Sequence, residues 1–201
     1  MGGDLLRQLN TDLAALAETA RSGLVRVGVR GMLGVGSGII VHPAGLVLTN
    51  AHVVRGEPVR VRLADGREFT ARVLGRDPAA DLAVLLIGAM DLPALELAAA
   101  EPAAGSLVVA LGHPWGVEAA ASFGVVTGLS TDEAGREWVL VNLRLRPGNS
   151  GGPLVDAGGR VVGINTIMTG AETGAAVSVR AARAFLKRIL AEHLRPAAAA
   201  G

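Results

Sequence analysis

Cysteine and tyrosine are both absent from the 201 residues, and aromatic side chains make up only 2% of them. The first absence excludes a disulfide framework, a thiol nucleophile and a cysteine-ligated zinc site, while leaving the compartment open. The shortage of rings makes stacking on nucleic-acid bases a poor main activity. Charge of one sign is lacking too. The 19 Lys and Arg stand against 18 Asp and Glu, so there is no basic field to hold nucleic acid and no acidic arm. No stretch reaches the roughly 18 uninterrupted apolar residues of a membrane-spanning helix. The N-terminal leucines are broken by Asp4, Arg7 and Asp12, which leaves no apolar segment of signal-peptide type. A complete chain of this kind is expected in the cytoplasm; one cut from a longer precursor is expected in the periplasm or another extracytoplasmic space.

Half of the residues are hydrophobic and 28 are glycine. Leu6, Leu9, Leu13, Leu16 and Ala20 recur at helical spacing, predicting an amphipathic helix over about residues 4–21. From Leu24 the texture changes to short Val/Leu/Ile runs divided by Gly, Pro and Asp. These runs are Leu24–Val29, Gly38–Val41, Leu46–Leu48, Val59–Leu63, Phe69–Leu74 and Leu82–Ile87, then Leu107–Leu111, Ala119–Leu129, Trp138–Leu145, Arg160–Met168 and Ala175–Val179. Many short strands with turn signals between them predict an all-β protein. The looser segment Asp91–Gly105 divides them into two groups of similar size, which suggests two small barrels with a cleft between. The expected organisation is a helical segment at 1–21, one β-barrel at 22–97, a second at 98–179, and a helix and tail at 180–201.

The run from Arg146 to Leu154 crowds three glycines around Ser150. Such a backbone can take turns that a side chain forbids. It can push a hydroxyl into a cleft and leave N–H groups free for a substrate oxygen, as acyl transfer requires. Taken alone, the same turn also suits a plain hairpin. A serine needs a base, and the four histidines are His42, His52, His113 and His193. His193 falls on a polar part of the last helix, and His42 and His113 each precede a proline and so sit in turns. His52 follows the compact run Gly45–Thr49 and is flanked by Ala51 and Val53, which hold it in place; a core histidine bonded to a carbonyl fits the same pattern. The base needs an acceptor to orient it. Asp81, immediately before the apolar run Leu82–Leu85, is expensive to bury without a partner, although a strand-start turn is the simpler use. Asp77, before a proline, fits that simpler use better. A metal site on His42, His52 or His113 would lack cysteine partners and helical spacing, and no cofactor is called for.

The order His, Asp, Ser is that of the chymotrypsin clan. Ser37–Ile40, Thr49–Val54, Asp81–Leu85, Gly112–Gly116, Gly148–Leu154 and Val162–Thr166 resemble the protease domain of the HtrA (DegP/DegS-like) family, and the resemblance runs from about Leu13 to Leu190. It implies two six-stranded β-barrels of the trypsin-like type with helices at both ends. Ser150 would be the nucleophile, His52 the general base, and Asp81 the residue orienting it. Gly148, Asn149 and Ser150 would form the oxyanion hole, with the N–H groups of Gly148 and Ser150 as donors. Arg144, Leu145, Arg146, Ile164, Asn165 and Thr166 would border the substrate. Where the family commonly reads Thr-Asp-Ala-Ala-Ile-Asn-Pro-Gly, this chain has Val141 to Gly148, with Arg144 and Arg146 replacing uncharged residues. An inward arginine would select an acidic P1 residue; two outward ones would leave an apolar pocket at Leu145 for Val, Ala or Leu.

The resemblance further implies polypeptide substrates, a role in protein quality control, and a homotrimer built through the N-terminal segment. Family members usually carry C-terminal PDZ domains, whereas this chain stops at the helix where one would begin, so PDZ regulation is not expected of it. The loop near Val29–Gly36 is brief. Relatives often rest with an inactive loop, and a protease-fold module that binds polypeptide without cutting it is the rival expectation.

Overall fold

The computed structural model describes residues 2–29, 36–168 and 173–194. The brief loop expected near Val29–Gly36, the loop after Thr166 and the tail Pro196–Gly201 fall wholly or largely outside them.

Two closed antiparallel barrels of six strands each, with a helix at either end, make up the described chain. Helix α1 spans Gly2–Ser22. Barrel 1 follows, with β1 Leu24–Val29, β2 Gly36–His42, β3 Leu46–Thr49, β4 Val59–Arg62, β5 Glu68–Asp77 and β6 Leu82–Leu86 in the order β1-β2-β3-β6-β5-β4. Barrel 2 has β7 Leu107–Gly112, β8 Ala120–Thr131, β9 Glu137–Val141, β10 Pro153–Asp156, β11 Val161–Met168 and β12 Gly174–Ser178 in the order β10-β11-β12-β9-β8-β7. Helix α2, Val179–Leu194, closes the chain. The all-β double-barrel expectation is therefore met. Strand β10 was not among the expected runs, because Pro-Leu-Val-Asp is short and opens on a proline that cannot donate to a ladder. The expected run Trp138–Leu145 ends as a strand at Val141.

The alternation of side chains along a strand explains why the central runs are apolar throughout. In β3, Val47 points into barrel 1 while Leu46 and Leu48 point toward barrel 2. In β6, Ala83 and Leu85 go inward, and Leu82 and Val84 go to the interface. Leu111, Val155, Ile164 and Val177 of barrel 2 meet them there, with Phe185 and Ile189 of α2. By contrast β4 has one wet face: Val59 and Val61 are buried, Arg60 and Arg62 exposed. The C-terminal half of α1 packs through Leu13, Leu16 and Ala20, while Leu5, Leu6 and Leu9 stay exposed.

Polar groups also cross the seam. The fully buried Ser37 of β2 lies 3.0 Å from Nδ1 of His113, which follows β7. His113 is only 9% exposed. Burial, reinforced by the charge of Arg26, lowers its pKa from 6.5 to about 4. With the folded value below the unfolded one, the unfolded chain binds the extra proton first, so this contribution is complete above pH 6.5 and is lost as pH falls toward 4. The whole effect amounts to at most ~3 kcal/mol. Thermal unfolding followed from neutral to acid pH should show a decline across that window that is shallower in His113→Asn; an identical decline in the variant would remove His113 as its cause.

Candidate active site

The pairing Thr49↔Ala83 sets the end of β3 beside the start of β6. The residues just beyond those points, His52 and Asp81, are consequently neighbours. His52 stands in a tight turn in which Val53 N–H donates to Asn50 O at 3.2 Å and Val54 N–H to Ala51 O at 3.3 Å. Ala51 and Val53, each 1% exposed, anchor the turn from both sides. Asp81 takes φ +53, a left-handed conformation that aspartate tolerates better than most residues. Its carboxylate accepts from His52 Nδ1 at 2.8 and 2.9 Å and from the His52 backbone N–H at 3.0 Å. The imidazole is thereby held with Nδ1 protonated and Nε2 free to take a proton. The Asp81 side chain is 13% exposed and that of His52 34% exposed, so the pair lies at the edge of the cleft.

Ser150 sits just before β10. Gly151, at φ +84, has no room for a side chain: a Cβ would collide with Ser37 O and Thr49 Oγ1. Ser37 N–H donates to Ser150 O at 2.8 Å, and Gly151 N–H donates to Asn165 O at 2.8 Å. The serine is thus tied to both barrels. Its own hydroxyl donates to Thr166 O at 2.8 Å and makes no hydrogen bond to His52 among the described residues. Asn50 connects the two halves: its Nδ2 donates to Asp81 O at 2.9 Å and to Thr166 Oγ1 at 3.0 Å.

The turn ahead of Ser150 closes with Asn149 N–H donating to Arg146 O at 2.9 Å. Pro147 and Gly148 occupy its middle, and Gly148 has φ +105, the sign that a type II turn requires at that place. Trp115 N–H donates to Pro147 O at 3.2 Å. Across the planar trans peptide, the Gly148 N–H must therefore point away from Trp115. Among the described residues neither the Gly148 nor the Ser150 N–H has an acceptor. Asn149 is 6% exposed, and its carbonyl accepts from Gly152 N–H at 2.9 Å.

The remaining expected residues are spread differently. Arg144 and Arg146 are exposed, and the Arg146 guanidinium lies 5.2 Å from the centre of the Trp115 ring. Leu145 is buried within barrel 2, and Ile164 lies in the core between the barrels. Asn165 uses its Nδ2 on Leu111 O at 3.1 Å and Pro153 O at 2.9 Å, which fixes the strands behind Ser150. Thr166 meets the serine through its carbonyl rather than its side chain. Three residues had no role in the sequence reading: Ser37, Asn50 and His113. All three lay inside motifs that carry the family resemblance, Ser37 in Ser37–Ile40, Asn50 in Thr49–Val54 and His113 in Gly112–Gly116, so a signal was present at each. His113 had been placed in a turn by its following proline, and the structure buries it. Among the described residues there is no cluster of His, Cys, Asp or Glu that could hold a metal ion.

The profile of the trypsin-like peptidase domain matches residues 36–164. A probable periplasmic serine endoprotease, DegP-like, of Hahella chejuensis is 44% identical over 136 residues, covering 65% of this chain and 29% of that protein. The putative serine protease HhoA of Synechocystis is 39% identical over 156 residues, covering 72% of this chain and 40% of the relative. The chain thus spans well under half the length of these relatives. Among solved structures, a serine endoprotease from Yersinia pestis superposes with TM-score 0.80 at 29% identity, covering 89% of this chain and 66% of the other. The HtrA-type protease AlgW, solved with a decapeptide, gives TM-score 0.80 at 27% identity, over 89% and 67% of the two chains. Profile, relatives and barrels agree that the chain belongs to the trypsin-like peptidase family, with DegP- and HtrA-type protease domains as its kin.

Proposed function

We propose that this chain is a serine endopeptidase that cuts unfolded or extended polypeptide through an acyl-enzyme. The observation that carries the reading is the hydrogen-bonded His52–Asp81 pair set across the seam from Ser150, whose own N–H and that of Gly148 have no acceptor among the described residues. Ser150 Oγ attacks the scissile carbonyl carbon as its proton passes to His52 Nε2. The oxygen that becomes negative is received by the N–H groups of Gly148 and Ser150. Asp81 stays ionised and steadies the imidazolium, which then protonates the leaving amine. Water, deprotonated by His52, releases the acid and restores the hydroxyl.

In the resting arrangement the Ser150 proton is given to Thr166 O. Rotation about the serine Cα–Cβ bond exchanges that acceptor for His52, a tightening common when substrate arrives. The same bond is the one feature that favours the rival reading, a resting module that holds polypeptide without cutting it. Arg144 and Arg146 are exposed, and Arg146 lies against Trp115, which supports small aliphatic P1 residues over acidic ones. Extended substrate would pair along the cleft as an added strand. The Hahella relative is named periplasmic, which supports an extracytoplasmic setting for this chain, and a part in protein quality control belongs to the same proposal. The exposed leucines at positions 5, 6 and 9 suit a homotrimer contact.

Ser150→Ala should remain folded, with the melting temperature of the parent, and lose at least about a thousandfold in peptide hydrolysis. A fluorophosphonate probe should label the parent and not this variant; a folded parent that stays unlabelled supports the binding module instead. Asp81→Asn should lower kcat by roughly a thousand- to ten-thousandfold with KM little changed, because the imidazole loses its preferred tautomer. A peptide library varied at P1 should be cut after Val, Ala or Leu; strong cleavage after Glu would reject the aliphatic pocket.

A further inference from the structure

Ser37 belongs to barrel 1 and is fully buried, yet its hydroxyl meets three polar atoms of barrel 2: Gly148 O at 2.8 Å, His113 Nδ1 at 3.0 Å and His113 N at 3.1 Å. A hydroxyl has one proton to give and two lone pairs to fill. Gly148 O carries no proton, so the Ser37 proton goes there. The His113 backbone N–H fills one lone pair. The third contact is then a hydrogen bond only if Nδ1 is protonated and donates to Ser37. Neutral His113 is thus the Nδ1–H tautomer, an assignment made from the bonding pattern.

The surroundings agree. His113 forms part of the wall of a cavity of about 370 Å³ that Arg26, Arg62 and Glu118 also line, with Glu18 and Arg21 of α1. Arg26 Nη2 donates to Gly116 O at 3.2 Å, and Arg62 lies 3.6 Å from Glu118. The charges of Arg26 and Arg62, offset in part by that of Glu118, disfavour a second proton on the ring. Protonation of the ring would leave Nδ1–H in place, so the direction of the Ser37 hydroxyl survives it.

We propose that Ser37 and His113 are positioning residues for the oxyanion turn: the hydroxyl holds the Gly148 carbonyl, and the imidazole fixes the direction of that hydroxyl. The inference rests on reading this turn as the oxyanion hole. Glycine has soft φ and ψ, so the orientation of the Gly148 N–H depends on what grips the peptides on either side. Trp115, two residues beyond His113, grips the preceding one through Pro147 O, and Ser37 grips the following one through Gly148 O. Without the hydroxyl, Gly148 O keeps, among the described residues, only the 3.1 Å bond from His113 N–H. The peptide is then free to turn its donor away from the developing charge. That loss falls on the transition state and spares ground-state binding along the cleft.

The test compares Ser37→Ala, His113→Phe and His113→Asn with the parent. Ser37→Ala and His113→Phe should each lower kcat roughly ten- to a hundredfold while KM stays within about twofold. His113→Asn offers an amide N–H near the position of Nδ1 and should retain most of the parental kcat. A Ser37→Ala variant with parental kcat, or a His113→Asn variant no better than His113→Phe, would overturn the proposal. Amide exchange measured by NMR separates this from failure of the protease reading. Even in a chain that hydrolyses nothing, Ser37→Ala should speed exchange at Asn149, whose N–H closes the turn onto Arg146 O. Unchanged exchange there would refute the brace on its own.

Discussion

The contact on which the rest of this structure depends is the polar stitch that β2 makes across the seam between the barrels. Ser37 gives its N–H to Ser150 O and its hydroxyl to Gly148 O, and its own carbonyl accepts from Thr49 Oγ1 at 2.6 Å. All of this lies in dry surroundings, where Ser37 and Thr49 are each 0% exposed. A buried polar group left without a partner is costly, whereas a satisfied network fixes one arrangement. Sliding one barrel past the other would orphan several of these groups at once. The apolar interface of Leu46, Leu48, Leu82 and Val84 against Leu111, Val155 and Ile164 supplies adhesion. It has no directionality of its own, and the stitch provides the register.

The fold was largely legible because each strand of these barrels obeys a simple alternation. Continuous apolar runs such as Leu82–Leu85 mark strands covered on both sides, one face by the barrel interior and the other by the neighbouring barrel. Proline-led β10 was not legible, since a four-residue strand takes its identity from partners on β7 and β11 rather than from its own pattern. The chemistry divided in the same way. His52, Asp81 and Ser150 stand out because each breaks an apolar or glycine-rich context in a way that demands a reason. Ser37 was visible only as the first letter of the Ser37–Ile40 motif: nothing local to a serine beside glycine announces bonds to residues 76 and 111 positions further along the chain. His113 was hidden by its proline, a turn signal that says nothing of burial. Asn50 was visible as a motif letter, and its meaning as a bridge from Asp81 to Thr166 appeared only when both barrels were in place.

The arginines before the turn show how one local context can divert a charge. Arg146 follows the buried Leu145 and precedes Pro147, so the alternation carries it outward, where its guanidinium finds the exposed face of Trp115. A cation stacked on an aromatic ring at the surface contributes modestly, on the order of 0.5–1 kcal/mol. Its larger effect here is to tie the turn to the Pro114–Gly116 segment from outside, opposite the grip that Ser37 exerts from within.

Dividing the reactive groups between the barrels has a consequence during synthesis. The imidazole and its carboxylate are complete once residue 81 has emerged, whereas the hydroxyl arrives only at residue 150 and is oriented by strands later still. On the proposed reading, a ribosome-bound fragment comprising the first barrel alone carries the base and its carboxylate without their nucleophile. On the same reading the hydroxyl finds its resting acceptor, Thr166 O, only once β11 has formed.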